Sequence, residues 1–339
     1  MWSMGEYLVR YWQIAAGSED RDYSDRFLRH GLAFVGGNGP CAVMEQVKPG
    51  DILILKHRTT HIKAVGTVVE REGRWRSCGD KPWLRDFDGW DLPAWCNVDW
   101  CKLETCRRVE GLRRGTILGV NQQPLIDTAI KVIAEIPKLT AYEPEPAPTE
   151  SVADEDLISE LIDFGLRPAA AEDLAQALRR IRRLARFYLS RDWGLTKEHE
   201  ARSFLVLPLL LALGWAEQKI QIELNVPNVG QADIACFRNP VIVFGQDKDC
   251  ILIIETKNLA KGLDYAPKQA HNYAERFPSY EVVLVTNGYC YKAFKRKEET
   301  TFSPQPAAYL NIMDPKKQYP LDPANVEGGI EVLRMLIPK

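Results

Sequence analysis

Two acids and a lysine stand where they could do chemistry together. Glu255 and Lys257 close the run Ile251-Leu252-Ile253-Ile254-Glu255-Thr256-Lys257. Side chains two apart on a strand project to the same side, so a carboxylate and an ammonium share one end of an aliphatic run. Asp233 lies inside an earlier apolar run, Gln231-Ala232-Asp233-Ile234-Ala235-Cys236-Phe237. Charges that terminate a buried strand are costly unless they are exposed, paired or used. Neighbouring strands that bring Asp233 and Glu255 together create a repulsion, which a hard divalent cation such as Mg²⁺ relieves. The chemistry expected of such a set is metal-assisted phosphodiester hydrolysis. The metal, held by Asp233 and Glu255, polarises the phosphodiester, and Lys257 orients or helps to deprotonate the attacking water. Glu255 and Lys257 alone would also fit a surface ion pair; the strand-borne Asp233 raises them above it.

The elements that must position these residues are legible in outline. Four consecutive aliphatics, Ile251 to Ile254, predict a central strand covered on both faces. A helical segment over Asp154 to Leu189 carries a basic face of Arg179, Arg180, Arg182, Arg183 and Arg186. A helix over Lys197 to Leu213 stops at Gly214. Strands follow at Ile220–Leu224, Gln231–Phe237, Val241–Phe244 and Cys250–Glu255. A helix over Tyr265 to Phe277 precedes the strand Tyr280–Thr286, the turn Asn287-Gly288 and a return strand Tyr289–Lys295. Helix, strands, helix, strands predicts a three-layer α/β domain with a mixed sheet.

Asp233 followed by Glu255-Thr256-Lys257 resembles the PD-(D/E)XK nuclease motif. The flanking residues resemble one branch of it, the N-terminal nuclease domain of type I restriction-enzyme motor subunits. There the first core helix runs Glu-x-x-x-Arg, with Pro six residues later and Gly-Trp at its end; Glu198, Arg202, Pro208 and Gly214-Trp215 match at that spacing. Gln269 and Tyr273 match the branch's Gln-x-x-x-Tyr, and Thr286-Asn287-Gly288 its Thr-Asn-Gly. The Pro expected before the first acid is replaced by Gln231-Ala232. The resemblance covers roughly Thr196 to Arg296. It implies a restriction-endonuclease-like fold, Mg²⁺ or Mn²⁺ as cofactor, and contacts from Gln269 and Tyr273 to the phosphate or the lysine. It also implies a helix acid that supports the metal, for which Glu198 fits the spacing and Glu200 is the alternative.

Pro137 to Asp156, with four prolines, several acids and few aliphatics, reads as an extended, flexible linker. It separates a mostly-β domain over residues 1–136 from the nuclease-like part over 157–339, whose core spans about 196–296. In the first domain, Trp12–Ala16 starts a strand, a short helix covers Ser24 to His30 before Gly31, and Asp51–Leu55 with Ile62–Val69 form a hairpin. Seven of the nine tryptophans fall in the first hundred residues, and small β-barrels place such aromatics in the core or around a ligand mouth. Tyr11 to Gly17, Asp22-Tyr23-Ser24, Val47 to Asp51, Ala64-Val65-Gly66 and Gly89-Trp90-Asp91-Leu92 resemble the PUA-like superfamily, with its EVE, ASCH, YTH and SRA-type domains. That resemblance implies a small barrel reading a modified base, which several such domains take flipped into an aromatic cage, with Trp12, Tyr23, Trp90 and Asp91 as the pocket. Extruding a base costs a few kcal/mol, which stacking and edge hydrogen bonds offset. His57 and His61 read as a solvated hairpin turn. Cys78, Cys96, Cys101 and Cys106 leave zinc open, although structural zinc pairs cysteines more tightly. Arg107-Arg108 and Arg113-Arg114, like Arg179, Arg182, Arg183 and Arg186, could face phosphates.

The 339 residues suffice for two cores. A composition 45% hydrophobic and 27% charged excludes a largely disordered, collagen-like or disulfide-stapled chain. Lys+Arg 44 against Asp+Glu 46 leaves a net charge of −2, so any nucleic acid must be held by local basic surfaces. The N-terminal residues lack an export signal and the longest uncharged stretch is too short to span a bilayer, which with the unevenly spaced cysteines predicts a cytoplasmic protein. The expected function is a modification-dependent, type IV-like DNA endonuclease serving defence against foreign DNA. Duplex DNA carrying altered bases is its expected partner, with a homodimer at least on DNA, because one such site cuts one strand. The alternatives are a nuclease on RNA or unmodified DNA with a general affinity module, or a catalytically inactive nucleic-acid-binding protein. No Walker-type loop occurs, so translocation would need another subunit.

Overall fold

The computed structural model describes residues 8–18, 21–190, 196–226, 229–241, 249–259, 262–263, 272, 279, 281–298, 301–303, 305–320 and 326–338. The chain divides into two units, one of Met1–Phe87 with Asp91–Pro146 and the other of Asp88–Trp90 with Ala147–Lys339.

Alternating apolar residues build the first unit. Its mixed sheet runs in the order Leu32–Val35, Ala94–Arg108, His61–Val68, Ile52–His57, Tyr11–Ala15, Ile117–Gly119, with Arg76–Cys78 also paired to Ala94–Arg108. Tyr11–Ala15 and Ile52–His57 are parallel, and the other pairs antiparallel. The sheet curls as a half-barrel from one edge strand to the other, where the sequence predicts a small barrel. Leu53 and Leu55 face an aromatic core with Phe27, Phe34, Trp83 and Trp100. Ile52 and Ile54 face the other side, which the helix Gln123–Glu135 covers with Leu125, Ala129 and Val132. Period-two alternation thus leaves both faces of one strand buried. The expected helix is present at Ser24–His30, ended by Gly31 at φ 62°.

Within the expected linker, which contains the boundary between the units, the chain first runs as a strap. Through Pro146 it is extended but tied to the first unit: Leu139 N–H donates to Trp100 O at 2.8 Å and Glu143 N–H to Arg29 O at 2.9 Å. The Tyr142 ring lies under the Arg71 guanidinium at 4.4 Å, and Glu145 accepts from Trp83 Nε1 at 3.0 Å and pairs with Lys81. Its last residues are already helical, since a helix begins at Asp154.

The second unit holds a mixed sheet in the order Ile220–Val226, Gly230–Phe237, Cys250–Thr256, Val282–Thr286, Cys290–Glu298, Ala308–Asn311, Val326–Glu327, Gln318–Tyr319, with Thr301–Phe302 paired to Cys290–Glu298. Every residue of Cys250–Thr256 is buried. One face of the sheet packs on the helices Asp154–Asp163, Pro168–Leu189 and Gly329–Leu336 and on the helical run Glu198–Ala212. The sequence predicts a helical segment from Asp154 to Leu189. It is two, because Gly165 takes φ 112° and Leu166 N–H returns to Leu161 O at 2.8 Å while Gly165 N–H bonds Ile162 O at 2.9 Å, a Schellman stop. Pro168 then opens the second helix. The strand Val241–Phe244 and the helix Tyr265–Phe277 lie, beyond Val241 and Asn272, almost wholly outside the described residues. Asp88, buried, pairs with the buried Lys292, and Gly89 N–H donates to Tyr309 Oη at 3.0 Å. Among the described residues no helix is long and apolar enough to cross a membrane.

The first sheet is tightest at Gly66, where a Cβ would lie closer than 3.0 Å to Val98 Cγ1, Trp100 Cε3 and Asp99 O. Gly66→Ala is expected to destabilise the first unit by about 1–3 kcal/mol, a typical cost of overpacking. Chemical denaturation followed by tryptophan fluorescence measures it, and an unchanged midpoint would contradict this packing.

Candidate active site

Register brings the acids together. The Asp233 strand and the Glu255 strand are antiparallel, with Ile234 opposite Ile254, so the next pair in register is Asp233 with Glu255. Directly opposed side chains lie about 4.5–5.5 Å apart at Cβ. Beyond this point the Asp233 side chain replaces the backbone ladder. Its Oδ2 accepts from Thr256 N–H and from Thr256 Oγ1, each at 2.7 Å. On the other side of the Glu255 strand, Lys257 N–H donates to Thr286 O at 2.7 Å. Thr286 opens the turn whose Gly288 N–H donates to Thr286 Oγ1 at 2.9 Å and whose Asn287 Oδ1 accepts Cys290 N–H at 2.9 Å. Gly288 has φ 98°, and a Cβ there would press on Leu205 at 2.6 Å. The Thr-Asn-Gly turn therefore fixes the backbone that carries Lys257.

The charges are held in a short network. Lys257 Nζ pairs with Glu255 Oε1 at 2.8 Å. Arg202 donates to Asp233 Oδ1 at 3.0 Å and to Glu223 Oε1 at 2.6 Å. Arg202 opens a π-helical segment, Arg202–Val206, in which Leu207 N–H reaches back to Arg202 O. Pro208 follows; it has no N–H to donate and its ring crowds the preceding turn, so the helix widens there. Glu223, at φ 56°, sits in a conformation unusual for a non-glycine residue. Sequence reasoning gave neither Arg202 nor Glu223 nor Thr256 a role in the site, because each acts through a cross-strand or helix-to-strand contact.

Glu255 is the most perturbed group of the set. It is 3% exposed, and its Oε2 has no hydrogen-bond partner among the described residues. Burial pushes its carboxyl up to about 7; Lys257 opposes this, and the charges of Asp233 and Glu198 add to it. Burial alone would lower the Lys257 ammonium, but the charge and hydrogen bond of Glu255 outweigh it and hold Lys257 above the usual lysine range. Lys257 is thus a cation at neutral pH, suited to orienting water or phosphate.

Glu198 and Glu200 differ in their partners. Glu200 Oε2 caps its own helix, accepting Lys197 N–H at 2.9 Å. Glu198, at the first position of the helix Glu198–Ala201, is the acid whose charge acts on Glu255 and Lys257. Gln269 and Tyr273 lie outside the described residues. Among the described residues no group of three His, Cys, Asp or Glu side chains stands close enough to chelate a metal. The two-carboxylate set still fits a hard divalent cation. Glu255 Oε2 is open, and Asp233 accepts three hydrogen bonds where a carboxylate offers about four sites. Among the described residues the acids of this network outnumber its cations, Arg202 and Lys257, a balance that suits a hard divalent cation such as Mg²⁺ or Mn²⁺.

The four residues expected at the base pocket have partners within the protein. Trp12 is in the core and donates from Nε1 to Asp51 Oδ2 at 2.9 Å. Tyr23 meets Phe87 edge-on, centroids 4.9 Å apart. Asp91 forms a two-pronged pair with Arg85 at 2.6 and 3.1 Å. Trp90 belongs to the second unit and packs on Gly262. A cavity of about 330 Å³ in the first unit, lined by Met44, Glu45, Arg76, Ser77, Cys78 and Ala94, includes none of them. Cys96 and Cys101 face opposite core clusters, and Cys78 and Cys106 are exposed, so these thiols do not converge as zinc would require. His57 approaches Asp22 at 3.8 Å and His61 bonds Thr60. Arg182 binds Asp154 through two contacts of 2.6 Å and the Ile312 carbonyl through a third of 2.6 Å. Arg179, Arg183 and Arg186 are exposed. No protein-family model matches the chain, nor does any curated protein sequence.

A carboxyl raised from 4.5 to about 7 holds its proton more tightly folded than unfolded, so the contribution of Glu255 to metal-free stability is full below pH 4.5 and is lost as pH rises through about 7. The decline is of order 2–3 kcal/mol. Glu255→Gln lacks this titration. In EDTA the variant is therefore expected to gain on wild type between pH 5 and 8 in thermal unfolding, and Mg²⁺ at pH 8 to stabilise wild type alone. Curves that stay parallel would exclude a buried, titrating Glu255.

Proposed function

We propose that the chain is a metal-dependent endonuclease of the PD-(D/E)XK kind, with a restriction-endonuclease-like second unit and a PUA-like first unit that reads a modified base in duplex DNA. The observation that carries the hydrolytic reading is Glu255: a buried carboxylate with one open oxygen, opposite Asp233 and paired with Lys257 at the end of a wholly buried strand. Structural ion pairs do not ordinarily leave a buried acceptor open, since the desolvation penalty is then uncompensated. Mg²⁺, or Mn²⁺ in its place, would be held by Glu255 and Asp233 with Glu198 adding negative charge, and supplies Lewis-acid polarisation of the phosphodiester when bound. Lys257 orients the attacking water and offsets charge gathering on the phosphoryl oxygens. Arg202 holds Asp233 in place and touches no substrate in this arrangement. Cutting both strands calls for two copies of the chain, one per strand.

The aromatic wealth of the first unit supports modified-base reading, but the side chains first suited to a pocket are engaged elsewhere. That observation favours a second reading, in which the first unit is a general affinity module and the substrate is unmodified DNA or RNA.

One experiment separates these readings: digestion of modified duplex, unmodified duplex and RNA with Mg²⁺ by wild type and Lys257→Ala. Wild type is expected to cut modified duplex preferentially, and the variant to lose about 10²-fold or more in rate. Equal cutting by both proteins would sink the assigned site. Indifference to modification would leave the nuclease and remove the base reader.

A further inference from the structure

The helix Pro168–Leu189 buries Ala171, Leu174, Leu178, Ile181, Ala185 and Tyr188. These positions alternate three and four apart, so they form one seam against the core. The opposite face is exposed and lines a groove of about 550 Å³ with Gln176, Arg179, Arg180, Arg183, Leu184 and Phe187. From Leu174 to Leu189 the sequence has five arginines and no acid. Arg182 alone is neutralised, by Asp154. Among the described residues, Arg179, Arg180, Arg183 and Arg186 meet no carboxylate in a hydrogen bond or ion pair.

A helix gains nothing by itself from this pattern. Like charges three and four apart, as in Arg179 with Arg183 and Arg180 with Arg183, destabilise it. The macrodipole favours cations only in the last turn, which accounts for Arg186 and leaves the other three unexplained. Their repulsion is relieved by a polyanion laid along the face. Phe187, 54% exposed beside these arginines, offers an apolar plane of the kind that nucleic-acid grooves use for stacking. A membrane surface is a poor fit, because the apolar seam such a helix would insert is already buried in the protein.

We propose that this face binds the phosphodiester backbone of duplex DNA, with phosphates on Arg179, Arg180 and Arg183, Arg186 at the rim, and Phe187 against sugar or base. The assignment rests on the nuclease reading for its choice of polyanion. The helix packs directly on the run Glu198–Ala212, so the contact belongs to the layer that carries Glu198 and Arg202.

The test uses the full chain in EDTA, binding labelled duplex DNA followed by anisotropy across a salt series. Arg179→Gln, Arg180→Gln and Arg183→Gln combined are expected to weaken binding about tenfold or more and to make the log–log salt slope shallower by about 2–3, near 0.9 per lost phosphate contact. If the triple variant unfolds earlier than wild type, Arg183→Gln alone should lower the slope by about one. Wild-type affinity and slope in the variants would overturn the proposal. So would a loss confined to duplex RNA, or an equal loss on polyglutamate of matched charge. Cleavage is scored separately. A chain that binds DNA through these arginines but never cuts refutes the nuclease reading alone, and one that cuts while indifferent to them refutes this surface alone.

Discussion

A carboxylate taken out of water must be answered by cations or donors, and among the described residues Glu255 is answered on one oxygen only. Much of the second unit follows from keeping it there. The strand that carries it is buried along its whole length, so it needs covered faces and a partner on each edge. Its backbone is held on one edge by Thr286 through Lys257 N–H and on the other by the Asp233 carboxylate through Thr256. The same two ties that stop the strand from fraying also set the acid and the lysine at its end.

Arg202 connects this strand end to the helical layer. Its guanidinium bridges Asp233 and Glu223, which lowers the repulsion Asp233 would otherwise impose on Glu255. A regular helix through Pro208 would lose a hydrogen bond and clash with the preceding turn; the π segment absorbs both problems at the point where Arg202 must reach the sheet. Tolerance of Pro208 and placement of Arg202 are therefore one structural solution, and a plain helix reading of Lys197 to Leu213 contains only half of it.

What was legible followed from burial and from period. Four aliphatics before Glu255 identified the central strand, and the spacing of two put Glu255 and Lys257 on one side, where they pair. The Gly165 stop was present in the sequence, with Pro168 three residues later, but the surrounding helix-favouring residues masked it. The strap was misjudged because its composition reports only that it cannot form a core of its own. Leu139, Tyr142 and Glu145 dock on a surface built by distant residues, which no local pattern reveals. The strand Ala94–Arg108 went unrecognised although Trp95, Val98, Trp100, Cys101 and Leu103 are buried along it; polar residues between them blur its period. The tryptophans are ambiguous for a related reason. An indole has an apolar body and one donor, so Trp12 serves a core and an Asp51 hydrogen bond as well as it would serve a ligand.

Arginine shows most sharply where sequence reading stops. Arg182 and Arg183 are adjacent on a basic helix, yet rotation by one residue turns Arg182 toward Asp154 and the Ile312 carbonyl while Arg183 stays in solvent. Residue type cannot distinguish a cation that ties two helices from one left uncompensated; the helical phase relative to the buried seam does. The same reasoning resolves the near-neutral total charge. Among the described residues, the arginines unmatched on one helix face and the acids in excess around Glu255 are separate local fields that call for opposite ligands, which a near-neutral total conceals.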